Sequence, residues 1–343
     1  MSGEHTQDDS YTGEPGTSLP DPILEGQPWA VDPARDEDYE PSTRPPSVLI
    51  LTMNEEINIR QCLETLRFSD DIVVLDSGST DATSRIVREF PNGRLIRRPF
   101  DTEWKQRNFG LHNVQFKHPW VYICDADERV PETLRDELVR SVASADEKQA
   151  AFRIRYKNMF MGRWVRRGGL YPVWIIRLVR PTRVTYEKRE TNVHPIVDGE
   201  VHALCEHFVH HSFNAGLYRW FMKHNFYSDQ ESVEALKLRE TKSIPVGELF
   251  SSDPMARRRA IKNASFALPL RALARFIYMY FVRLGLLDGR AGFEYACMIS
   301  MYEYWIELKM RESRNRWLDR TLERANEILE REQVAGGGIA RDA

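Results

Sequence analysis

The stretch WVYICDADERV, Trp120 to Val130, ends a run of apolar and β-branched residues in three acids, Asp125, Asp127 and Glu128. An uninterrupted apolar run of this kind reads as a strand buried on both faces. Carboxylates crowded at its end repel one another and lose hydration, so a cation is expected among them. A D-x-D pair at a strand end suits a divalent ion held by carboxylate oxygens and completed by a diphosphate. Hard oxygen ligands favour Mg2+ or Mn2+ over zinc. The alternative is a surface turn in which Asp127 and Glu128 cap a helix starting near Pro131.

A second acidic stretch, DSGSTD, puts Asp76 at a strand end, with Ser77 beside it, Gly78 in the turn and a helix N-terminus behind. That arrangement could accept hydrogen bonds from a nucleobase or ribose and offer backbone donors nearby. HALCEHFVHH carries four zinc-ligand types, His202, Cys205, His207 and His210. Alternation along a strand turns Cys205 and His207 away from His202 and His210, which argues against a zinc centre.

The elements that must position these residues follow a regular pattern. SVLILT (47–52), DIVVLD (71–76), GRLIRRPF (93–100) and WVYICD (120–125) read as strands. Between them, 54–68, 81–90 and 104–114 read as helices. Strand and helix alternating at short spacing imply an α/β fold with a mostly parallel, doubly wound, Rossmann-like sheet. Ligands bind beyond the carboxyl ends of such strands, where Thr52, Asp76 and Asp125 stand. From Ala151 to about Ser212 the texture changes to strands with basic and aromatic residues between them. Beyond Phe213 the chain reads as mostly helical.

Composition bounds the rest. The 343 residues can bury a full α/β core, and 42% hydrophobic with 29% charged residues is the composition of a globular protein. The net charge of -3 hides an acidic start, with 11 acids against 2 bases through Pro45. Rich in Pro, Gly and Ser, residues 1–45 read as a disordered tail. Residues 46–213 form the expected catalytic domain and 214–343 a helical extension. The start lacks the basic and apolar regions of a secretory signal. Cys62, Cys124, Cys205 and Cys297 form no CxxC pair and read as reduced thiols of a cytoplasmic protein. Nothing in the pattern points to nucleic acid.

Taken in order, LTMNEE, DSGSTD, KQRNFGL and CDADERV resemble glycosyltransferase family 2, the inverting nucleotide-sugar enzymes of the GT-A fold. The resemblance covers roughly Ser47 to Ser212. GRWVRRGGLYP, RLVR and GLLDG, at Gly162–Pro172, Arg177–Arg180 and Gly285–Gly289, extend it toward bacterial lipopolysaccharide-core β-glucosyltransferases. It implies that Thr52, Asn54 and Glu55 border the nucleotide, that Asp76 with Ser77 binds the base, and that Lys105 and Arg107 lie nearby. It implies that Asp125 faces the ribose or the metal and that Asp127 ligates Mg2+ or Mn2+. The implied partners are a nucleotide-diphosphate sugar and a saccharide or lipid-linked acceptor.

An inverting transferase needs a carboxylate base opposite the leaving diphosphate. The subgroup keeps it in a VHE segment, but this chain reads NVHP, with Pro195 at the Glu position. Glu190, Asp198 and His194 are the candidates, with Glu190 preferred. The departure also admits a non-catalytic nucleotide-sugar-binding protein. Finally, Leu273, Phe276, Ile277, Tyr280, Phe281 and Leu284 share one helical face interrupted by Arg271, Arg275 and Arg283. The arginines oppose a spanning helix. They suit either packing on the catalytic domain or peripheral contact with the inner face of the cytoplasmic membrane.

Overall fold

A computed structural model describes residues 23–24, 45–188, 193–240 and 270–313. The strands are β1 (Ile23–Leu24), β2 (Ser47–Thr52), β3 (Ile72–Asp76), β4 (Gly93–Arg97), β5 (Val121–Asp125), β6 (Glu128–Arg129), β7 (Gln149–Phe160), β8 (Arg163–Trp164), β9 (Trp174–Val179), β10 (Val184–Tyr186), β11 (Pro195–Val197) and β12 (Glu200–His210). The first four helices are α1 (Ile59–Thr65), α2 (Thr83–Arg88), α3 (Glu103–His112) and α4 (Glu132–Ser144). The extension adds α5 (Gly216–Glu240), α6 (Arg271–Ile277), which runs on into a π-helical turn at Tyr278–Val282, and α7 (Gly289–Glu312).

The main sheet runs β1-β4-β3-β2-β5-β9-β7-β12-β6, with β8 folded back on β7. β4, β3, β2 and β5 are mutually parallel, as the alternating pattern requires. β9 is antiparallel to both β5 and β7, so β7 and β12 run parallel to the first four strands. This is the expected α/β architecture, a mostly parallel central sheet with C-terminal helices, and the reversed strand β9 is its one internal departure from parallel order. Val48, Ile50, Val74 and Tyr122 face one core layer, and Leu49, Val73, Leu75 and Ile123 face the other. Burial on both faces explains why these strands read as continuous apolar runs.

α1 begins later than its sequence pattern, because Asn54 takes a left-handed conformation (φ 55°) and starts a loop. α3 lies close on the sheet, since a Cβ at Gly110 would stand 2.7 Å from a Leu49 methyl. Of the expected disordered tail, only Ile23–Leu24 is described. It pairs antiparallel with Ile96 and Arg97 on the edge of β4, and the rest of residues 1–44 lies outside the described residues. The helical extension packs on the sheet by its inner side. Phe160 at the end of β7 shares a cluster with Trp220, Ala291 and Met298. Among the described residues, no helix is long and apolar enough to cross a membrane.

Candidate functional site

The acids of DADE stand at the carboxyl end of β5, next to those of β2 and β3. Their cation is Arg177, which the sequence reading did not assign to them. β9 carries its guanidinium into the interior, where Nη2 donates to Asp125 Oδ2 at 2.5 Å and also to Glu128 Oε1. Arg177 is 3% and Glu128 1% exposed. One cation cannot fully neutralise two carboxylates, and the two respond in opposite directions. Against the penalty of burial, Arg177 and then Arg107 hold Asp125 well below the ordinary carboxylate range. Burial dominates at Glu128 and pushes it up to about 7 despite Arg177. Asp125 is therefore the ionised member near neutral pH.

Asp127 points to a more open place. Its Oδ2 lies 3.3 Å from His210 Nε2, at the last residue of β12. Burial disfavours charge on both, but each holds the other ionised, so Asp127 is lowered and His210 raised. Among the described residues, no three His, Cys, Asp or Glu side chains are grouped to hold a metal. What the chain offers is a pair, one carboxylate and one imidazole, both partly exposed. Such a pair suits Mg2+ or Mn2+ only when a ligand phosphate and water complete the shell.

Around the acids stands a ring of cations. Arg107 on α3 has Nη2 3.8 Å from Asp125 Oδ1 and lies over the Tyr186 ring at 5.4 Å. Arg219 on α5 reaches back to the end of β2, donating to the carbonyls of Asn54 (2.6 Å) and Met53 (3.0 Å) and to Glu55 Oε1 (2.9 Å). Lys223 follows one turn later on the same face of α5. Burial works against its charge, but Tyr227, Asp127, Asp125 and Glu55 together raise it.

The remaining sequence-assigned residues divide. Asn54 and Glu55 tie the first loop to the second: Asn54 Oδ1 accepts from Thr80 N at 2.8 Å, and Glu55 N donates to Thr83 Oγ1 at 2.8 Å. Thr52 is buried, and its Oγ1 has no partner among the described residues. Asp76 is fully buried and accepts from Ser79 N, Ser79 Oγ and Ser84 Oγ, so it holds the turn that Gly78 (φ 97°) makes. Its neighbour Ser77 is the partly open residue, accepting from Gln106 Nε2 at 3.1 Å. Lys105 points elsewhere, toward Asp101 at 3.5 Å, because it lies two residues from Arg107 on α3.

The hairpin β10–β11 is the described part of the segment that holds the proposed bases. Its Val184 carbonyl bonds His112 at the C-terminal end of α3, and Tyr186 pairs with Asn108 further up. The strand therefore climbs toward the crevice, and Tyr186 and Pro195 are its crevice-side residues. Asp198 is at the other end, where its N–H donates to Arg183 O and the adjoining Glu200 N donates to Lys148 O ahead of β7. It is exposed and remote from Asp125. Glu190 lies outside the described residues. Glu187, not singled out from sequence, follows Tyr186 on the crevice side, with a buried Oε1 that has no partner among the described residues. His194 closes the same hairpin through its carbonyl, which accepts from Glu187 N at 3.1 Å.

Residues 47–203 match the sequence profile of Glycosyl transferase family 2. Among curated proteins, the lipopolysaccharide core biosynthesis glycosyltransferase LpsC of Rhizobium meliloti is 36% identical over 107 residues, 30% of this chain and 39% of its own. An uncharacterized glycosyltransferase of Rickettsia conorii is 22% identical over 284 residues, 78% of this chain and 90% of its own. The chain spans about two fifths of the length of the first curated relatives it matches. Among solved structures, S. aureus TarS 1–349 with UDP is 16% identical, covering 71% of this chain and 74% of its own at a TM-score of 0.37. Glucosyl-3-phosphoglycerate synthase from Mycobacterium tuberculosis, with Mn2+ and UDP, is 22% identical over 34% of this chain and 44% of its own, at a TM-score of 0.28. The four parallel strands, their acidic carboxyl ends and the following strands as far as the first residues of β12 thus lie within the stretch that matches Glycosyl transferase family 2.

Proposed function

We propose that the protein is an inverting glycosyltransferase that moves a hexose from a nucleotide-diphosphate sugar to a hydroxyl of a cell-envelope glycan or its lipid-linked precursor. The observation that carries the reading is the convergence of Asp127 and His210 with Arg107, Arg219 and Lys223 at the carboxyl ends of β2 and β5. An acid–imidazole pair inside a ring of cations suits a diphosphate with its divalent ion.

In this reading the loop of Thr52, Asn54 and Glu55, the turn at Ser77 and the acid Asp125 border the nucleoside. Asp76 acts through the turn it holds. Asp127 and His210 would hold Mg2+ or Mn2+, which would supply positive charge to offset that of the diphosphate. Arg107 and Lys223 add fixed positive charge on the same side. A carboxylate of the β10–β11 connection takes the acceptor proton while the oxygen attacks the anomeric carbon opposite the diphosphate, which inverts that centre. Glu190 is the assigned base and Glu187 its neighbour in the same connection; Asp198 lies at the wrong end of the hairpin for this work. In this reading the enzyme works in the cytoplasm, at the inner face of the membrane.

The second reading, a nucleotide-sugar-binding protein without turnover, draws on Pro195 standing where the subgroup keeps its acid. A thermal-shift screen of UDP-, GDP- and dTDP-sugars with Mn2+ identifies the donor. Release of nucleoside diphosphate on adding acceptor glycan then separates the two readings. No stabilisation by any of these sugars would refute both.

A further inference from the structure

The C-terminal extension is amphipathic the wrong way round. Leu273 and Ile277 of α6, Phe281 of the π-helical turn, and Leu270 and Leu284 at either end recur at sequence spacings of three and four. In chain order they are 68%, 53%, 45%, 53% and 49% exposed. The opposite side is the one that packs. Arg271 is buried with Nη2 2.6 Å from Glu303, and Met279 is buried beside Gly168. Leu287 and Phe293 continue the apolar surface beyond the stripe, 54% and 45% exposed. Contiguous exposed apolar surface of this kind marks an interaction site.

The charges around it are mostly basic. Between Leu270 and Arg290 the sequence has four arginines and a single acid, Asp288, whose Oδ2 accepts from Arg167 N at 2.6 Å. Arg283 is exposed, and Arg163 and Arg166 are exposed on the adjoining β8 segment, whereas Arg290, its side chain 89% exposed, donates from Nε to Glu294 Oε1 at 2.6 Å. A second copy meeting this patch about a twofold axis would set these cations against themselves. An anionic surface complements them. The patch also has a fixed position relative to the crevice. Arg283 O accepts from Gly168 N at 3.0 Å, and the Gly168 segment leaves the carboxyl end of β7. That end faces the same way as the carboxyl ends of β2 and β5.

We propose that the stripe from Leu270 to Leu284, with Leu287 and Phe293, inserts into the headgroup region of an anionic bilayer and turns the crevice end of the sheet toward it. Its apolar side chains enter the interface while Arg283, Arg163 and Arg166 meet lipid phosphates. One consequence rests on the transferase reading: the acceptor is presented by the membrane surface, carried on a lipid.

The test is co-sedimentation of the full chain with phosphatidylcholine vesicles, with and without about one third phosphatidylglycerol, in low and high salt. Wild type pellets with the anionic vesicles, and salt releases part of it. Leu273→Ser with Phe281→Ser lowers partitioning by about tenfold or more, since both side chains leave the interface. Because both are already exposed, melting temperature and nucleoside-diphosphate binding stay at wild-type values. Those controls separate the membrane inference from the transferase reading. Binding indifferent to lipid charge and salt would overturn the proposal. So would a dimer that the double variant dissolves while neither protein pellets with vesicles.

Discussion

Replacing Arg177 with Met removes the cation that the buried acids share. Met keeps an unbranched stem of similar reach but leaves Glu128, 1% exposed, without a cation and Asp125 with only the more distant Arg107 at 3.8 Å. Removing one member of a buried ion pair costs about 3–5 kcal/mol. At about 2–4 °C per kcal/mol for a body of this size, Tm falls by about 6–20 °C. The loss depends on pH, and its sign follows from the two acids. Glu128 titrates at about 7 against an ordinary 4.5, so its contribution is fully present below 4.5 and disappears as pH rises through 7. That shift corresponds to about 3 kcal/mol. Asp125 is held low by Arg177, so its contribution is present at neutral pH and is lost on acidification. Without Arg177, Asp125 loses that contribution and Glu128 rises further. The deficit of R177M therefore grows from pH 5, where both acids can take up protons, to pH 8. Denaturant unfolding in EDTA at the two pH values measures it, with Arg177→Lys as the variant that keeps charge but not the fork. A deficit below about 1 kcal/mol, or one equal at both pH values, would refute the role given to Arg177.

Three further outcomes are expected. Asp127→Asn leaves the fold intact, abolishes Mn2+-dependent nucleotide binding by calorimetry and lowers turnover by about 10²-fold or more; full activity in saturating Mn2+ contradicts the metal role. Asp127 raises His210 against its burial, so a proton and a metal compete for the imidazole, and Mn2+ affinity in the presence of UDP falls as pH drops from about 8 to 6. A flat profile removes His210 from the metal. Glu190→Gln cuts turnover by about 10²–10⁴-fold with donor affinity retained, Glu187→Gln is its companion in the same connection, and Asp198→Asn is nearly silent. A large loss in Asp198→Asn alone would mean that the direction of the hairpin has been misread.

The strands around the crevice were legible because each is buried on both faces and ends in a polar residue at a point set by the chain itself. β2, β3 and β5 coincide with their apolar runs to within a residue or two. Partners brought together by long-range topology were not legible. Arg177 lies 52 residues from Asp125 and reaches it only because β9 inserts antiparallel between β5 and β7. The available signal was the charged residue inside WIIRLV, which a buried strand tolerates only with a partner. Arg219 and Lys223 come from a helix beyond the matched domain, and nothing in their local sequence points to β2. Asp198 stands apart from Pro195 for a geometric reason. Three residues of strand rise about 10 Å, which carries it from the crevice-side end of the hairpin to the hairpin's other end.

The two aspartates of D-x-D therefore do different work. Asp125, the last residue of β5, is committed to the protein's own cation, whereas Asp127 stands in the turn beyond it and meets His210. A chain that supplies two metal donors leaves most positions of an octahedral Mg2+ or Mn2+ shell to water and phosphate oxygens. The free ion should accordingly bind weakly, and the diphosphate, itself repelled by Asp125, Asp127 and Glu55, should bind weakly without the ion. Each strengthens the other by the same factor, as linkage demands. On the proposed reading, Arg107, Arg219 and Lys223 would lower the repulsion, and metal and donor would still strengthen each other's binding.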